Sequence, residues 1–161
     1  MPKYNYRSRD GSYGLTLENE QLQKMLSFAK AAIPNETGGI LVGRYNSTLN
    51  VAILEDVSGP PVDSKAGKTW FHRGFKGLSR WLRQIWKAET HYLGEWHFHP
   101  FAQPEPSGVD HKQIKEISQM NCYQCKVPLL LILGGDPSQK WRVRVFVIST
   151  DRQLIECAEV K

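Results

Sequence analysis

The chain has 161 residues, a formal net charge of +5 and an isoelectric point near 9.2. This length suits one domain with a hydrophobic core, and no apolar stretch approaches the roughly 18 residues that a membrane span needs. The polar, basic N-terminus does not resemble a signal peptide, so we expect a cytoplasmic protein without a membrane partner.

The N-terminal part predicts an arm followed by a helix. Residues 1–14 are polar and rich in Gly, Ser and Tyr, which is typical of an arm or edge strand, and a domain over 15–161 follows. Thr16 is expected to cap a helix that ends before Pro34. The apolar residues of this helix recur at helical spacing: Leu22, Met25, Leu26, Ala29, Ala32 and Ile33.

A hairpin and an amphipathic helix are predicted next. Strands near 40–45 and 49–57, joined by a turn at Asn46-Ser47, are expected to pair with each other. An irregular segment over 59–77 separates them from the helix. The apolar stripe of that helix includes two tryptophans, which we interpret as core residues: Leu78, Trp81, Leu82, Ile85 and Trp86.

The irregular segment is a candidate for substrate binding because loops often carry functional residues. Packing is nevertheless the commoner role of such an aromatic pair. The candidate contacts are Trp70, Phe71, His72 and Arg73. Basic residues also cluster between this segment and the helix, and a solvated face is favoured over a site for nucleic acid or an acidic protein. They are Lys65, Lys68, Arg73, Lys76, Arg80, Arg83 and Lys87.

A His-x-His-Pro motif ends the next predicted strand, at about 92–99. Side chains at i and i+2 of a strand project to the same face, so His97 and His99 point together while their aromatic neighbours face the apolar side. Pro100 is expected to end the strand. Two imidazoles on a strand end form half of a metal site. Glu95 shares their parity, and a solvated position is favoured for it over a role in orienting a ligand histidine.

Ser107 and Asp110 follow a proline-containing loop and have the spacing of a helix N-cap and its capping-box carboxylate. Helical periodicity continues in Val109, Ile114 and Ile117. Capping alone is the simplest interpretation of an arbitrary Ser-x-x-Asp, but the His-x-His motif upstream favours a second role. Two histidines and one aspartate provide three protein ligands, which suits a catalytic zinc with a fourth position open for water.

The C-terminal third predicts two strands and free thiols. An apolar run at 127–133 is typical of a strand buried on both faces, 134–137 is a turn, and 141–148 alternates as a strand. The three cysteines are an odd number and do not indicate a disulfide framework. Cys122 and Cys125 form a lone Cys-x-x-Cys, for which free thiols are favoured over a metal or redox site.

The whole pattern resembles the JAB/MPN domain metalloproteases, also called the JAMM family. That family has a Glu near the start of the domain, then His-x-His-Pro, then Ser-x-x-Asp. The chain matches each position, with Glu36, His97, His99, Pro100, Ser107 and Asp110. The predicted elements form a single α/β domain with a mixed β-sheet flanked by helices, and the resemblance implies a cytidine-deaminase-like JAB/MPN fold over 15–161.

The resemblance also implies one zinc ion per chain, with His97, His99 and Asp110 as its ligands. Glu36, which composition alone would assign to a surface turn, would take a proton from the zinc-bound water and pass it to the leaving amine. Ser107 would donate a hydrogen bond to the oxyanion or hold the water. The chemistry is coherent, since zinc lowers the pKa of its bound water towards about 7 and a nearby carboxylate completes the deprotonation.

The function implied is hydrolysis of an amide or isopeptide bond after the C-terminal tail of a ubiquitin-like or tail-conjugated protein. Trp-Phe-His-Arg-Gly, Glu-Trp-His-x-His-Pro and the compact size are similar to the JAB peptidases of CBASS antiphage operons. Those peptidases are implicated in removing a nucleotidyltransferase that is conjugated through its C-terminus. The partners implied are therefore that nucleotidyltransferase and an operon-encoded ubiquitin-transfer-like enzyme.

Several alternatives stay open. The peptidase can instead process a sulfur-carrier protein. A metal-free MPN scaffold is disfavoured because no ligand of the motif is missing. A cupin-type oxygenase also uses two His and a carboxylate, but the predicted helical stripes argue against its β-barrel. Nucleic-acid binding through the basic residues is the weakest alternative and would show as salt-dependent binding.

Overall fold

Eight strands form a mixed sheet that closes on itself in the computed structural model, which describes residues 2–161. Met1, the first residue of the predicted arm, lies outside the described residues. The elements in chain order are β1 (Lys3–Arg7), β2 (Gly14–Glu18), α1 (Asn19–Ala32), β3 (Thr37–Tyr45), β4 (Val51–Val57), β5 (Lys65–Ala66), β6 (Phe71–His72), α2 (Leu78–Trp86), β7 (His91–Pro100), α3 (Gly108–Ile117), a 3₁₀ turn (Asn121–Tyr123), β8 (Leu129–Gly135), β9 (Trp141–Ile148) and β10 (Leu154–Val160).

The closed sheet has the order β1-β10-β9-β8-β7-β3-β4-β2. The pairs β2–β4 and β7–β8 are parallel and the others are antiparallel. The predicted mixed sheet with helices is therefore confirmed, but its closure was not anticipated. Helical stripes alone do not exclude a barrel, so they were not a sufficient argument against the cupin alternative.

β1 is paired on both of its edges, so of the two predicted possibilities, an arm or an edge strand, the N-terminal segment forms a strand, and it lies inside the closed sheet, not at an edge. It runs antiparallel to β2 and to β10. Tyr6 lies in the barrel core with 6% of its surface exposed. Sequence reasoning missed this because polar residues alternate with Tyr4 and Tyr6 over only five positions, and β10, which supplies the second edge, was not predicted.

Helix α1 begins after Glu18, and the expected cap at Thr16 is wrong. Thr16 belongs to β2, where its hydroxyl donates to the Asn5 side chain over 2.9 Å. The extended backbone continues to Glu18, whose N–H donates to the side chain of Gln21 over 2.7 Å. The helix ends at Ala32, ahead of Pro34, as predicted.

The sheet has two apolar faces, each covered by different helices. The barrel interior packs around the buried face of α1, and its residues come from all eight strands. The outer face of β3, β7, β8 and β9 packs against α2, α3 and the 3₁₀ turn. Alternate residues of β8 enter these two clusters, with Leu131 inside and Ile132 outside. The prediction of a strand buried on both faces is confirmed.

The central elements agree with the sequence except in detail. β3 and β4 form the predicted hairpin, and the segment expected to be irregular contains a small separate sheet of β5 and β6. The predicted helix exists as α2, but Trp86 is 52% exposed and is not a core residue. Arg80 and Arg83 are exposed, as expected of a solvated helix face.

The predicted strand over 141–148 is confirmed as β9, and the turn before it lies slightly later than expected. Gly134 and Gly135 end β8, and Asp136 N–H donates to the carbonyl of Lys140 to close the turn.

All three cysteines are free thiols. Within residues 2–161, none of the helices combines the length and apolarity needed to cross a bilayer.

Tyr6→Ala distinguishes an integral strand from an arm. Removing this buried ring should lower the free energy of unfolding by about 3 kcal/mol, because a cavity is left in the core. Arg9→Ala, in the exposed turn after β1, should leave it unchanged. Urea unfolding followed by circular dichroism measures both. Equal free energies of unfolding for the two variants would favour the interpretation of residues 1–14 as an arm.

Candidate active site

β7 positions the two histidines on the outer face of the barrel. It lies between β3, which is antiparallel to it, and β8, which is parallel. Trp96 and Phe98 point into the interior core, so the alternation places His97 and His99 on the opposite face. The indole N–H of Trp96 donates to the carbonyl of Ser58 over 2.8 Å, which fixes the strand from behind. The predicted end at Pro100 is confirmed.

The loop after Pro100 passes closely over the end of β8. Gly134 pairs with His99, and a Cβ at Gly134 would lie 2.5 Å from the carbonyl oxygen of Ala102 and 2.7 Å from the nitrogen of Pro104. Pro104 is buried in this turn-back. The absence of a side chain at Gly134 therefore allows the chain to return towards β7 before α3 begins.

The first turn of α3 is built by a reciprocal cap. The hydroxyl of Ser107 accepts a hydrogen bond from Asp110 N–H over 3.0 Å. The backbone N–H of Ser107 donates to Oδ2 of Asp110 over 2.9 Å. The predicted capping box is present, and the aspartate serves where a longer acid is usual.

The same aspartate faces both histidines. Its Oδ1 lies 2.9 Å from Nδ1 of His97, and its Oδ2 lies 3.2 Å from Nε2 of His99. Oε1 of Glu36 lies 3.8 Å from Nε2 of His99. These four side chains are at most 11% exposed. The structure therefore brings together the residues that the sequence motif singled out, with exposed Ser107 at the rim.

Glu36 is held at the start of β3 by a neighbouring segment. Its backbone N–H donates to the carbonyl of Gly67, in the turn between β5 and β6, over 2.8 Å. Two residues later, Gly38 pairs with His97. A Cβ there would clash with the carbonyl of Trp96 and lie 3.0 Å from both the His97 imidazole and the Phe71 ring. The site needs a glycine at this point because aromatic rings fill the space.

Burial and mutual charge shift the pKa values of these groups. Burial raises the pKa of Glu36, an effect that His99 opposes and Asp110 reinforces. Burial also acts to raise the pKa of Asp110, but its hydrogen bonds with His97 and His99 hold it well below its ordinary value. For His99, burial lowers the pKa, and the hydrogen bond and charge of Asp110 outweigh this, so the pKa lies above its ordinary 6.5.

The donor set fits a metal ion, although the side chains contact one another directly. Within residues 2–161, no group of three or more His, Cys, Asp or Glu is spread around a common centre. The distances of 2.9 and 3.2 Å that join His97 and His99 to Asp110 are nevertheless close to the roughly 3.3 Å between neighbouring ligand atoms of a tetrahedral zinc. Small side-chain shifts would open the site. Two imidazoles and one carboxylate also leave one position for water.

The four candidate substrate contacts divide into two exposed and two enclosed side chains. Trp70 is 48% exposed, and His72 is exposed beside it. Phe71 is buried, with its ring edge-on to His97 at 5.6 Å between centroids. The Arg73 side chain is 7% exposed and pairs with Glu95. Phe71 and Arg73 therefore support the site from inside, and only Trp70 and His72 present surface to a substrate.

Glu95 is a buried residue, and its interpretation as a solvated strand end is wrong. It shares the outer face of β7 with the histidines and is 3% exposed. It accepts hydrogen bonds from Arg73 and from the hydroxyl of Tyr92. Its strand parity was the available signal, but no local pattern indicates that it pairs with an arginine 22 residues away.

Comparison with known proteins identifies the family. The sequence profile described as prokaryotic homologs of the JAB domain matches residues 18–146. The chain belongs to the prokaryotic JAB-domain family. The resemblance stated from the motif is thereby confirmed, and the fold is that of a single JAB-like domain.

Two curated relatives of this JAB-domain protein carry the name CD-NTase/cGAS isopeptidase. The protein of Enterobacter hormaechei subsp. hoffmannii is 39% identical over 155 residues, covering 96% of this chain and 86% of the relative. That of Pseudomonas aeruginosa is 30% identical over 105 residues, covering 62% and 63%. The solution structure of a Desulfitobacterium hafniense protein superposes with a TM-score of 0.64 at 22% identity, covering 91% and 90%, which supports the fold alone.

Gly38→Ala tests whether the site depends on space at this glycine. The added methyl group should displace the His97 and Phe71 rings and cost about 1–3 kcal/mol, as overpacking does. Gly108→Ala is the matched control, because a Cβ there meets nothing within 4 Å. We expect the imidazole NMR signals of His97 to move in the first variant and not in the second. Unchanged signals in both would contradict the packing described.

Asp110→Asn tests the electrostatics of the metal-free site. Without the carboxylate, burial is opposed only by the charge of Glu36 and the backbone contact with Gln103, so the pKa of His99 should fall from its raised value. Since the folded-state pKa is raised, protonation of His99 stabilises the metal-free fold below about 6.5 and the contribution is lost as the pH rises through that pKa. An NMR titration with chelator present measures the shift. Asp151→Asn, in an exposed turn, is the control, and a His99 pKa in Asp110→Asn equal to that of the wild type would contradict the coupling.

Proposed function

We propose that the protein is a zinc-dependent isopeptidase that hydrolyses an amide bond after the C-terminal tail of a conjugated protein. The observation that carries the proposal is the convergence of Asp110 with His97 and His99, beside the carboxylate of Glu36. Two relatives named as isopeptidases support the reaction class. The choice of zinc as the metal is inferred from the sequence motif and from the family.

The chain's own residues divide the chemistry between them. His97, His99 and Asp110 would hold one zinc ion, and zinc bound there would lower the pKa of water towards about 7. Glu36 takes a proton from the attacking water and passes it to the leaving amine. Ser107 donates its hydroxyl hydrogen to the substrate carbonyl oxygen as negative charge develops. The hydroxyl can do so because its contact with Asp110 N–H uses only an oxygen lone pair.

Glu36 is suited to the part of general base by its environment. Its carboxylate is largely enclosed, and burial raises its pKa from the ordinary carboxyl range. A base whose pKa is closer to the working pH transfers protons more effectively in both directions. Its backbone N–H donates to Gly67, so the main chain that carries the carboxylate is already fixed when a substrate arrives.

The substrate we propose is an extended tail lying beside the β5–β6 hairpin. Lys65 and Ala66 of β5 are exposed, and β6 is their one strand partner in the small sheet. A tail can add to such an edge through backbone hydrogen bonds, with side-chain contacts giving specificity. Trp70 and His72 lie on the same hairpin and are the candidate contacts. The names of the relatives favour a CD-NTase as the tail-bearing protein. We place the reaction in the cytoplasm, in a CBASS-type antiphage system with a ubiquitin-transfer-like enzyme.

Glu36→Gln separates metal binding from catalysis. The variant should keep about one zinc per chain but lose at least a hundredfold in kcat, because the general base is gone while the three ligands remain. Metal analysis and cleavage of a tail-linked amide measure the two properties. Cleavage at the wild-type rate would rule out the mechanism.

His97→Ala and Asp110→Ala are the complementary variants. Each removes a ligand, so each should lose zinc and activity together, and chelation of the wild-type protein should have the same effect. Arg44→Gln breaks an exposed ion pair with Glu55 on the β3–β4 hairpin and should retain both. A zinc-free protein that still cleaves the amide would contradict the metal assignment.

A further inference from the structure

Glu95 is enclosed next to the candidate site and takes no part in the proposed chemistry. It lies two residues before His97 on the same face of β7, and its side chain is 4% exposed. One carboxylate oxygen accepts from Nε of Arg73 and the other from the hydroxyl of Tyr92. A buried carboxylate is costly unless it is paired and hydrogen-bonded, and both conditions are met here.

Arg73 is held from three directions, because each of its three guanidinium nitrogens donates a hydrogen bond. Nε donates to Glu95 on β7, Nη1 donates to the carbonyl of Gly74 over 2.9 Å, and Nη2 donates to the hydroxyl of Tyr123 in the 3₁₀ turn. The guanidinium carbon also lies 5.0 Å from the centroid of the Phe75 ring. A planar, forked donor fixes direction as well as distance, which a lysine ammonium does not.

The hairpin that ends at Arg73 touches both the base and a ligand histidine. Its Gly67 carbonyl accepts from Glu36 N–H over 2.8 Å, and its Phe71 ring meets His97 edge-on. The hairpin is not part of the barrel sheet, so the ladder hydrogen bonds of β3 and β7 do not hold it. Within residues 2–161, Arg73–Glu95 is the one ion pair of a Lys or Arg in which both side chains are less than a tenth exposed.

We propose that Arg73 and Glu95 form a positioning pair that anchors the β5–β6 hairpin to β7 and thereby holds the Glu36 backbone and the His97 ring in their working arrangement. Neither residue is catalytic, because neither touches Glu36, Asp110 or the reacting atoms. A buried ion pair is weak support for stability compared with an apolar pair, and its directional bonds suit the fixing of a register. The inference rests on the proposed function for its effect on rate, and on the hairpin contacts for its effect on structure.

Arg73→Lys is the first test, because it keeps the charge and loses the fork. The second variant, Arg73→Met with Glu95→Gln, removes both charges together and leaves neither unpaired, so one variant remains informative if the other fails to fold. Arg144→Gln is the control, since it breaks an exposed bidentate pair with Glu156 on β9 and β10. Hydrogen exchange of the Glu36 and Gly67 amides, zinc content, kcat and KM are measured for each.

The expected result is faster exchange at Glu36 and Gly67 in both test variants, with core amides of β8 unchanged. Zinc is retained, and kcat falls on the order of tenfold or more while KM changes less, because misplacement of about 1 Å is enough to slow catalysis strongly. The Arg144→Gln control matches the wild type throughout. Wild-type exchange at Glu36 and Gly67 in a folded test variant, or a wild-type kcat, would overturn the positioning role.

The two proposals fail separately in this experiment. If the zinc-loaded wild type cleaves no tail-linked amide, the proposed function is wrong, while the exchange of the Glu36 and Gly67 amides still reports on the anchor. If the wild type cleaves and exchange in the variants is unchanged, the function stands and the anchor is rejected.

Discussion

The carboxylate of Asp110 is the constraint on which the rest of the site depends. It closes the cap of α3 through Ser107 N–H and meets His97 and His99 at the end of β7. One side chain therefore joins the start of α3 at Gly108 to the end of β7 at Pro100, across the loop of residues 101–107. The cap keeps this carboxylate beside the imidazoles, whose hydrogen bonds hold its pKa well below the ordinary value.

A second layer of contacts supports this junction from the side of the hairpin. Phe71 packs against His97, Gly38 leaves room for both rings, and Gly67 holds Glu36 at the start of β3. Arg73 and Glu95 connect that layer to β7 below the histidines. The side chains that would bind the metal thus lie on regular elements, and the residues that fix them lie partly in a short, separate sheet. Rigid support of this kind is what preorganised catalysis requires.

The sequence was a good guide where local rules act and a poor one where distant segments meet. Strand parity and the capping box gave the places of His97, His99 and Asp110, and the buried run gave β8. The closure of the sheet through β1 and β10 depends on pairing between the two ends of the chain, which no local pattern encodes. Glu95 looked like a surface charge for the same reason, because its partner comes from a distant loop.

We propose that two imidazoles and one carboxylate bind a single zinc ion, and X-ray absorption at the zinc edge of the zinc-loaded protein reports on these ligands. We expect nitrogen and oxygen neighbours at about 2.0–2.1 Å and imidazole scattering from two histidines, and no zinc retained by Asp110→Ala. A sulfur neighbour at about 2.3 Å would instead assign the metal to a cysteine, and an Asp110→Ala spectrum identical to the wild type would remove Asp110 from the site.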